Sequence, residues 1–263
     1  MEEVDQSLRN CLWSALHKHV WSQRFERRNA TSMSKAVESL ADFLWTEYFK
    51  LSIDERLPLD TQFQGRDTFV DWIKRRFMSS EWFKVYDILE CVLEFKYSEL
   101  FGGLQASLNS CLEKENAAYR IIDGRTVPIT HEVEIVSVET AIAESEDTVA
   151  YHISEAIKSL SNRKSPDLRN SIKESISAVE AEIKVRCGKD WNGTFSSARK
   201  YLSDQIIGHS AFLRGMENLY GFTSDDQGIR HSLTDKPNLT KDDAAYFLVI
   251  CSAFVNYLRA SDV

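Results

Sequence analysis

Turn-forming residues are scarce in this chain, which has only 4 prolines and 10 glycines among its 263 residues. An all-β fold needs a turn roughly every 8–12 residues, and glycine and proline supply many of those turns. The scarcity therefore argues against all-β architectures and favours long, uninterrupted helices. A hydrophobic content of 43% and a charged content of 27% are typical of a globular protein with a buried core.

A basic excess is also missing. The formal net charge is −8, and each half of the chain (residues 1–118 and 119–263) carries four more acidic than basic residues. General nucleic-acid binders draw much of their affinity from neutralising phosphates, so they usually carry a basic excess or a basic tail. The composition thus disfavours a general nucleic-acid binder. It still allows an enzyme that holds RNA in a local basic cleft.

The cysteines give no sign of a disulfide framework or a zinc site. There are five of them, far apart in the sequence, and no two have the spacing of zinc ligands. Four lie at apolar positions of helical patterns, which is typical of buried, reduced thiols. The acidic amino terminus does not resemble a signal peptide. The longest apolar stretch, residues 246–258, is too short to cross a bilayer. We therefore expect a cytoplasmic protein without a membrane partner.

Motifs that fix a chemistry by their spacing are absent as well. The sequence has no P-loop, no dinucleotide-binding glycine pattern and no nucleophile elbow. The acidic pair Asp225-Asp226 lies in a loop, and Asp242-Asp243 opens a helix, where carboxylates offset the helix dipole. There, Thr240 and Asp243 resemble a capping box. The sequence therefore predicts neither a cofactor nor a metal site.

Helical periodicity dominates what is present, because apolar residues recur at three- and four-residue intervals along most of the chain. The one β signal is a short hairpin in residues 119–129 that turns at Asp123-Gly124. The sequence predicts an all-α fold in which this hairpin joins two helical-bundle halves. The predicted domains are residues 1–118 and 119–263.

Five of the six tryptophans fall within residues 13–82. A cluster of this kind in a small helical domain usually forms an aromatic core. The alternative is a surface on which nucleobases or a peptide stack, since some of these positions lie off the main apolar stripe.

The densest basic groups of the first half are residues 24–28 and residues 74–76. Solvated helix faces are their ordinary explanation. The alternative is a phosphate-binding site, which would form if the two groups meet in space. Its candidate residues are Arg24, Arg28, Arg75 and Arg76.

A polar loop of residues 223–238 connects two apolar helices and contains Arg230 next to His231. An arginine can bind a phosphate, and an imidazole can transfer a proton at neutral pH. The pair is therefore a candidate catalytic site. A structural pair that holds the loop in place is the alternative.

Several segments of the second half resemble the HEPN-like (higher-eukaryote and prokaryote nucleotide-binding) region of bacterial abortive-infection proteins. They are residues 120–130, the helix of residues 166–180 with its segment 169–176, the loop of residues 228–231, and the helix of residues 247–258. Residues 1–118 resemble the helical amino-terminal domain of AbiJ-type proteins. The resemblance extends over nearly the whole chain.

This resemblance implies an all-α domain that is often a homodimer and that, in active members, cleaves RNA without a metal. Carried over to this sequence, it makes Arg230 the phosphate ligand and His231 the acid/base, with Arg169, Asn170 and Glu174 as supporting polar residues. The sequence departs from the family in one respect: active members separate the arginine and the histidine by several residues, whereas these two are adjacent. Adjacent helical positions diverge by about 100°.

The leading hypothesis is therefore a prokaryotic phage-defence protein of the abortive-infection type. Its HEPN-like domain would bind RNA or a nucleotide and act as a metal-independent endoribonuclease. The alternative is a non-catalytic module that dimerises and senses or recruits a partner protein. Uniform acidity and the adjacency of Arg230 and His231 favour this second hypothesis.

Overall fold

Helices make up most of the protein. The computed structural model describes residues 4–22, 30–59, 67–162, 165–188, 198, 202–203, 209–221 and 239–260. Contacts along the chain divide it into two compact units, Met1–Thr126 and Val127–Val263. The described residues contain one sheet, which has two strands. The predicted all-α fold with a short β-hairpin is therefore confirmed.

The α-helices of the first unit bury one apolar face each, as their three- and four-residue spacing predicts. They are α1 (Gln6–Leu16), α2 (Ala30–Phe43), α3 (Phe69–Ser79), α4 (Trp82–Leu93) and α5 (Leu104–Lys114). Wider π-helical turns follow α1 at His17–Trp21 and α2 at Leu44–Tyr48, and 3-10 turns lie at Ile53–Glu55 and Ser98–Leu100.

Polar side chains fix where two of these helices begin. The Asp5 carboxylate accepts a hydrogen bond from the Leu8 amide at 2.9 Å. Thr68 and Asp71 form a reciprocal capping box, in which each side chain accepts from the backbone amide of the other residue, at 3.1 and 3.3 Å. These bonds satisfy amides that have no partner within the helix, so α1 and α3 have defined starts.

Tryptophans form part of the core of the first unit. Trp13, Trp21 and Trp45 are buried, and Trp72 and Trp82 are half-buried against the same core. The predicted aromatic core is thereby confirmed. The three buried rings are not available as a surface for stacking.

The predicted hairpin is confirmed, with strands β1 (Arg120–Ile122) and β2 (Arg125–Val127). Asp123 and Gly124 connect them with φ angles of +50° and +72°. Positive φ at both central residues is typical of a type I′ turn, for which Asp-Gly is a preferred pair. The buried Glu90 carboxylate of α4 accepts from the Thr126 amide at 2.8 Å, which ties β2 to the first unit.

The expectation of reduced thiols is wrong for two of the five cysteines. Cys11 on α1 and Cys111 on α5 form a disulfide, with their Cα atoms 5.7 Å apart. Helical periodicity carries no information about which helix faces meet. Cys91, Cys187 and Cys251 are free.

The second unit packs its helices around the long helix α8. Its α-helices within the described residues are α6 (Glu132–Glu144), α7 (Asp147–Ser161), α8 (Leu168–Cys187), α9 (Ser210–Gly221) and α10 (Lys241–Ala260). The buried core draws Ile153 and Ile157 from α7, Ile176 from α8, and Leu248 and Val255 from α10. The helix that the sequence identified as the most apolar, α10, therefore lies in the core of this unit.

Capping also marks helix starts in the second unit. The Asp167 side chain accepts from the Asn170 amide at 2.9 Å. Thr240 and Asp243 form the predicted capping box, with bonds of 2.8 Å from the Thr240 amide and 3.2 Å from the Asp243 amide.

In the part of the chain that the structure describes, no helix has the length and hydrophobicity needed to cross a membrane.

Candidate functional site

The predicted catalytic residues Arg230 and His231 lie outside the described residues. The predicted supporting residues Arg169, Asn170 and Glu174 are described, and all three lie in the first two turns of α8. Each is half-buried. Asn170 and Glu174 are four residues apart, so they project from the same face of the helix.

Glu174 pairs with a histidine that the sequence did not single out. Its Oε2 lies 2.7 Å from Nδ1 of His152 on α7, and its Oε1 lies 3.3 Å from Nζ of the adjacent Lys173. The Glu174 side chain is only 13% exposed, whereas that of His152 is 26% exposed. The carboxylate is thus largely shielded from solvent, whereas solvent still reaches the imidazole.

A second polar contact joins the same two helices. Asn170 Nδ2 donates to Ser159 Oγ at 2.9 Å. His152 and Ser159 are seven residues apart on α7, so they share a helix face. The two bonds therefore form a polar row along the antiparallel contact between α7 and α8, which fixes the register of Glu174 against His152.

Hydrogen-bonding chemistry assigns the proton in the His152–Glu174 pair. An ionised carboxylate can only accept, so Nδ1 of His152 carries the proton that is donated to Glu174. The neutral ring then has its lone pair on Nε2. Such an imidazole can accept a proton at Nε2, and the carboxylate stabilises the cation that results. The pair thus has the composition of a general base with an orienting group.

A polar cavity of about 530 Å³ lies at the turn between α6 and α7. Its lining is mostly charged, and the residues are Glu144, Ser145, Glu146, Asp147, Glu182, Val185, Arg186 and Arg259. Acidic groups outnumber arginines by four to two. This charge balance does not favour a phosphate ligand.

Within that cavity, Glu182 and Arg186 form a buried ion pair on α8. Arg186 Nε lies 2.7 Å from Glu182 Oε1, and the side chains are 10% and 2% exposed, respectively. A charge this well shielded needs its partner, because desolvation of an uncompensated carboxylate is costly. The pair therefore supports the structure of the cavity wall.

Arg75 and Arg76, the described members of the predicted phosphate site, already interact within the first unit. Arg75 forms two bonds to the Asp67 carboxylate, at 3.1 and 2.7 Å. The Arg76 guanidinium lies 4.2 Å from the centre of the Trp72 ring, a cation–π contact. Arg24 and Arg28 lie outside the described residues. A phosphate would have to compete with Asp67 for Arg75.

In the described parts of both units, no three His, Cys, Asp or Glu side chains cluster as metal ligands. The free thiols are also poor nucleophiles. Burial raises the pKa of Cys251 to about 12, and burial together with the neighbouring carboxylate of Glu94 raises the pKa of Cys91 to about 11. Both stay protonated near neutral pH.

His152 was missed because its partner lies 22 residues away on another helix. The four-residue spacing of Asn170 and Glu174 does place them on one face, so the sequence predicts the α8 side of this contact. A histidine on the preceding amphipathic helix, seven residues from Ser159, was the available signal on the other side.

The family defined as AbiJ N-terminal domain 4 matches residues 1–144 of the chain, just over half of its length. This match covers the first unit and continues through α6. Comparisons with curated proteins and with solved structures find no match.

Proposed function

Because the chain belongs to the AbiJ N-terminal domain 4 family, we propose that it is a phage-defence protein of the abortive-infection type. Its second half, residues 119–263, is on this proposal a HEPN-like domain that binds RNA and cleaves it without a metal. The family match over residues 1–144 carries the first part of the proposal. Action in the cytoplasm as a homodimer belongs to the same proposal.

Metal-independent cleavage needs a base, an acid and a cation. The base takes the proton of an RNA 2′-hydroxyl, whose oxygen attacks the adjacent phosphorus. The acid gives a proton to the 5′-oxygen that leaves, and a guanidinium offsets the charge on the phosphate. Arg230 is the proposed cation, and His231 is one of the two proton-transfer groups.

The His152–Glu174 pair supports the proposal by offering a second imidazole in the same unit. Adjacent residues such as Arg230 and His231 diverge by about 100° if the segment is helical, which makes it difficult for the two to act together on one phosphate. In our proposal His152 accepts or returns a proton through Nε2, and Glu174 holds its ring through the 2.7 Å contact at Nδ1.

The test is cleavage of a mixed RNA pool by purified protein in the presence of EDTA. Wild type should cut, and Arg230→Ala and His231→Ala should lose activity while their circular dichroism and melting stay unchanged. His131→Ala is the matched control, because His131 is exposed and its side chain makes no capping bond at the start of α6. Full activity in both site variants would refute the proposed roles of Arg230 and His231.

An interaction module is the second candidate function, and one observation favours it. Val133 and Val136 on α6 are 83% and 53% exposed, and Tyr151 on α7 is 61% exposed. Large apolar side chains at this exposure are common at protein interfaces. A second copy of the chain is the partner that this candidate function predicts.

Light scattering at increasing protein concentration tests this second function. Wild type should dimerise, and the double variant Val133→Ser/Val136→Ser should stay monomeric. If both proteins are monomers over the same range and neither cuts RNA, both functions proposed here are excluded for the isolated chain.

A further inference from the structure

The contact between α1 and α5 carries a covalent link that the packing of the first unit does not require. Cys11 and Cys111 lie 5.7 Å apart between their Cα atoms, within the range that a disulfide spans. The first unit already has a large apolar core, to which Leu8, Leu12 and Leu112 contribute beside this link. Small domains that depend on disulfides lack such a core.

Hydrogen bonds of His19 also connect the end of α1 to α5. His19, in the π-helical turn after α1, has its Nδ1 2.9 Å from the Gly102 carbonyl oxygen and its Nε2 2.8 Å from Ser107 Oγ on α5. These bonds and the apolar packing would keep α1 and α5 together if the disulfide opened. We therefore expect the fold to persist when the disulfide opens.

The two cysteines also differ in accessibility. Cys111 is 7% exposed, whereas Cys11 is half-buried. Cys11 is therefore the more exposed residue of the pair. This asymmetry favours attack at Cys11 with Cys111 as the resolving partner.

Helix α5 connects the disulfide to the hairpin at the end of the first unit. Asn109, two residues before Cys111, bonds the backbone of Ile121 in β1 twice, at 2.8 and 2.7 Å. Gln105 Oε1 accepts from the Gly124 amide in the turn at 3.1 Å. Any loosening of α5 is therefore transmitted directly to β1 and its turn.

We propose that Cys11 and Cys111 form a reversible oxidation site whose state sets how firmly α5 holds the hairpin. A hydroperoxide oxidises the Cys11 thiol to a sulfenic acid and releases water or an alcohol. The Cys111 thiol then attacks that sulfur, so that the disulfide forms and water leaves. A dithiol reverses the reaction, becoming a disulfide itself as the two thiols are restored.

Hydrogen exchange followed by mass spectrometry tests the proposal on the full chain. Peptides of α5 and β1 should exchange about tenfold or more faster in dithiothreitol-reduced protein than in peroxide-treated protein. Cys11→Ser should match reduced wild type under both conditions. Cys91→Ser, which alters a free thiol on α4, should still respond to peroxide like wild type.

Thiol counting supplies an independent readout. Alkylation under denaturing conditions should find two fewer thiols after peroxide treatment of wild type, and no such difference in Cys11→Ser. An unchanged count, or equal exchange of β1 in the two states, would overturn the proposal. Neither readout depends on RNA cleavage, so the proposed ribonuclease function is tested separately.

Discussion

Asn109 forms two hydrogen bonds with the backbone of a single residue, Ile121. Its Nδ2 donates to the Ile121 carbonyl oxygen at 2.8 Å, and its Oδ1 accepts from the Ile121 amide at 2.7 Å. The side chain thus pairs with β1 as a neighbouring strand would. Ile121 is fully buried, so water cannot replace these bonds.

Replacing Asn109 with aspartate should destabilise the first unit. Aspartate keeps the shape but cannot donate when ionised, so the Ile121 carbonyl would lose its partner and face a negative charge. An unsatisfied buried polar group costs about 1–3 kcal/mol. We expect the free energy of unfolding to fall by that amount in urea titrations. Asn10→Asp is the control, because Asn10 is exposed on α1; an equal loss in both variants would contradict the assigned role.

Local signals predicted the elements that depend on neighbouring residues. Asp123-Gly124 indicated the turn, and Thr240 with Asp243 indicated the start of the last helix, because both features are determined within four residues. The Cys11–Cys111 bond spans 100 residues of sequence, and which helix faces meet across such a distance depends on packing of the whole unit. Spacing therefore predicted the faces but not their partners.

The same limit applies to the candidate site. Asn170 and Glu174 could be placed on one face of α8 from their four-residue spacing. The partner of Glu174 could not be predicted, because it required the register of α7 against α8. That register follows from the burial of Ile153 and Ile176 in the core of the second unit, which the structure reveals and one sequence does not.

Removal of the positive partner of a buried carboxylate should strongly destabilise the second unit. Arg186→Met leaves Glu182, which is 2% exposed, without the guanidinium that lies 2.7 Å from it. Breaking a buried pair in this way typically costs about 3–5 kcal/mol. Chemical denaturation followed by far-ultraviolet circular dichroism should record the loss.

The matched control uses the other arginine of the same cavity. Arg259 lies 3.3 Å from Glu144, whose side chain is 62% exposed, so this pair is well screened by water. Arg259→Met should cost about 0–1 kcal/mol. Adding Glu182→Gln to Arg186→Met should recover part of the stability, and no recovery would show that the buried charge was not the cause.

Alkaline pH should destabilise the second unit through Cys251. Burial raises the pKa of this thiol from 9.0 to about 12, so between those values the unfolded chain loses the proton while the folded chain keeps it. The contribution of this thiol to the free energy of unfolding is therefore fully present below pH 9 and falls as the pH rises toward 12. At pH 10.5 this one group should cost about 2 kcal/mol.

Comparison of Cys251→Ala with wild type isolates this effect, because lysine and tyrosine titrate in both proteins. The loss of stability between pH 8 and pH 10.5 should be smaller in the variant. Cys187→Ala is the control. Burial also raises the pKa of that thiol, but Cys187 is only half-buried and lies outside the core. Parallel curves for wild type and Cys251→Ala would contradict the prediction.

The pairing of His152 with Glu174 leads to the last prediction, which concerns RNA cleavage. If Nε2 of His152 transfers a proton, His152→Ala should lower the rate of cleavage by about 10²–10⁴-fold, the usual contribution of general acid–base catalysis. Glu174→Gln retains an acceptor for Nδ1 but removes the negative charge that stabilises the protonated ring. Its rate should therefore fall less, while the affinity for RNA, measured by fluorescence anisotropy, stays unchanged in both variants.

A merely structural pair would instead lower the melting temperature and leave the cleavage rate per folded molecule intact. Wild-type cleavage by His152→Ala would show that the second imidazole of the site must be sought elsewhere, even if His231→Ala is inactive.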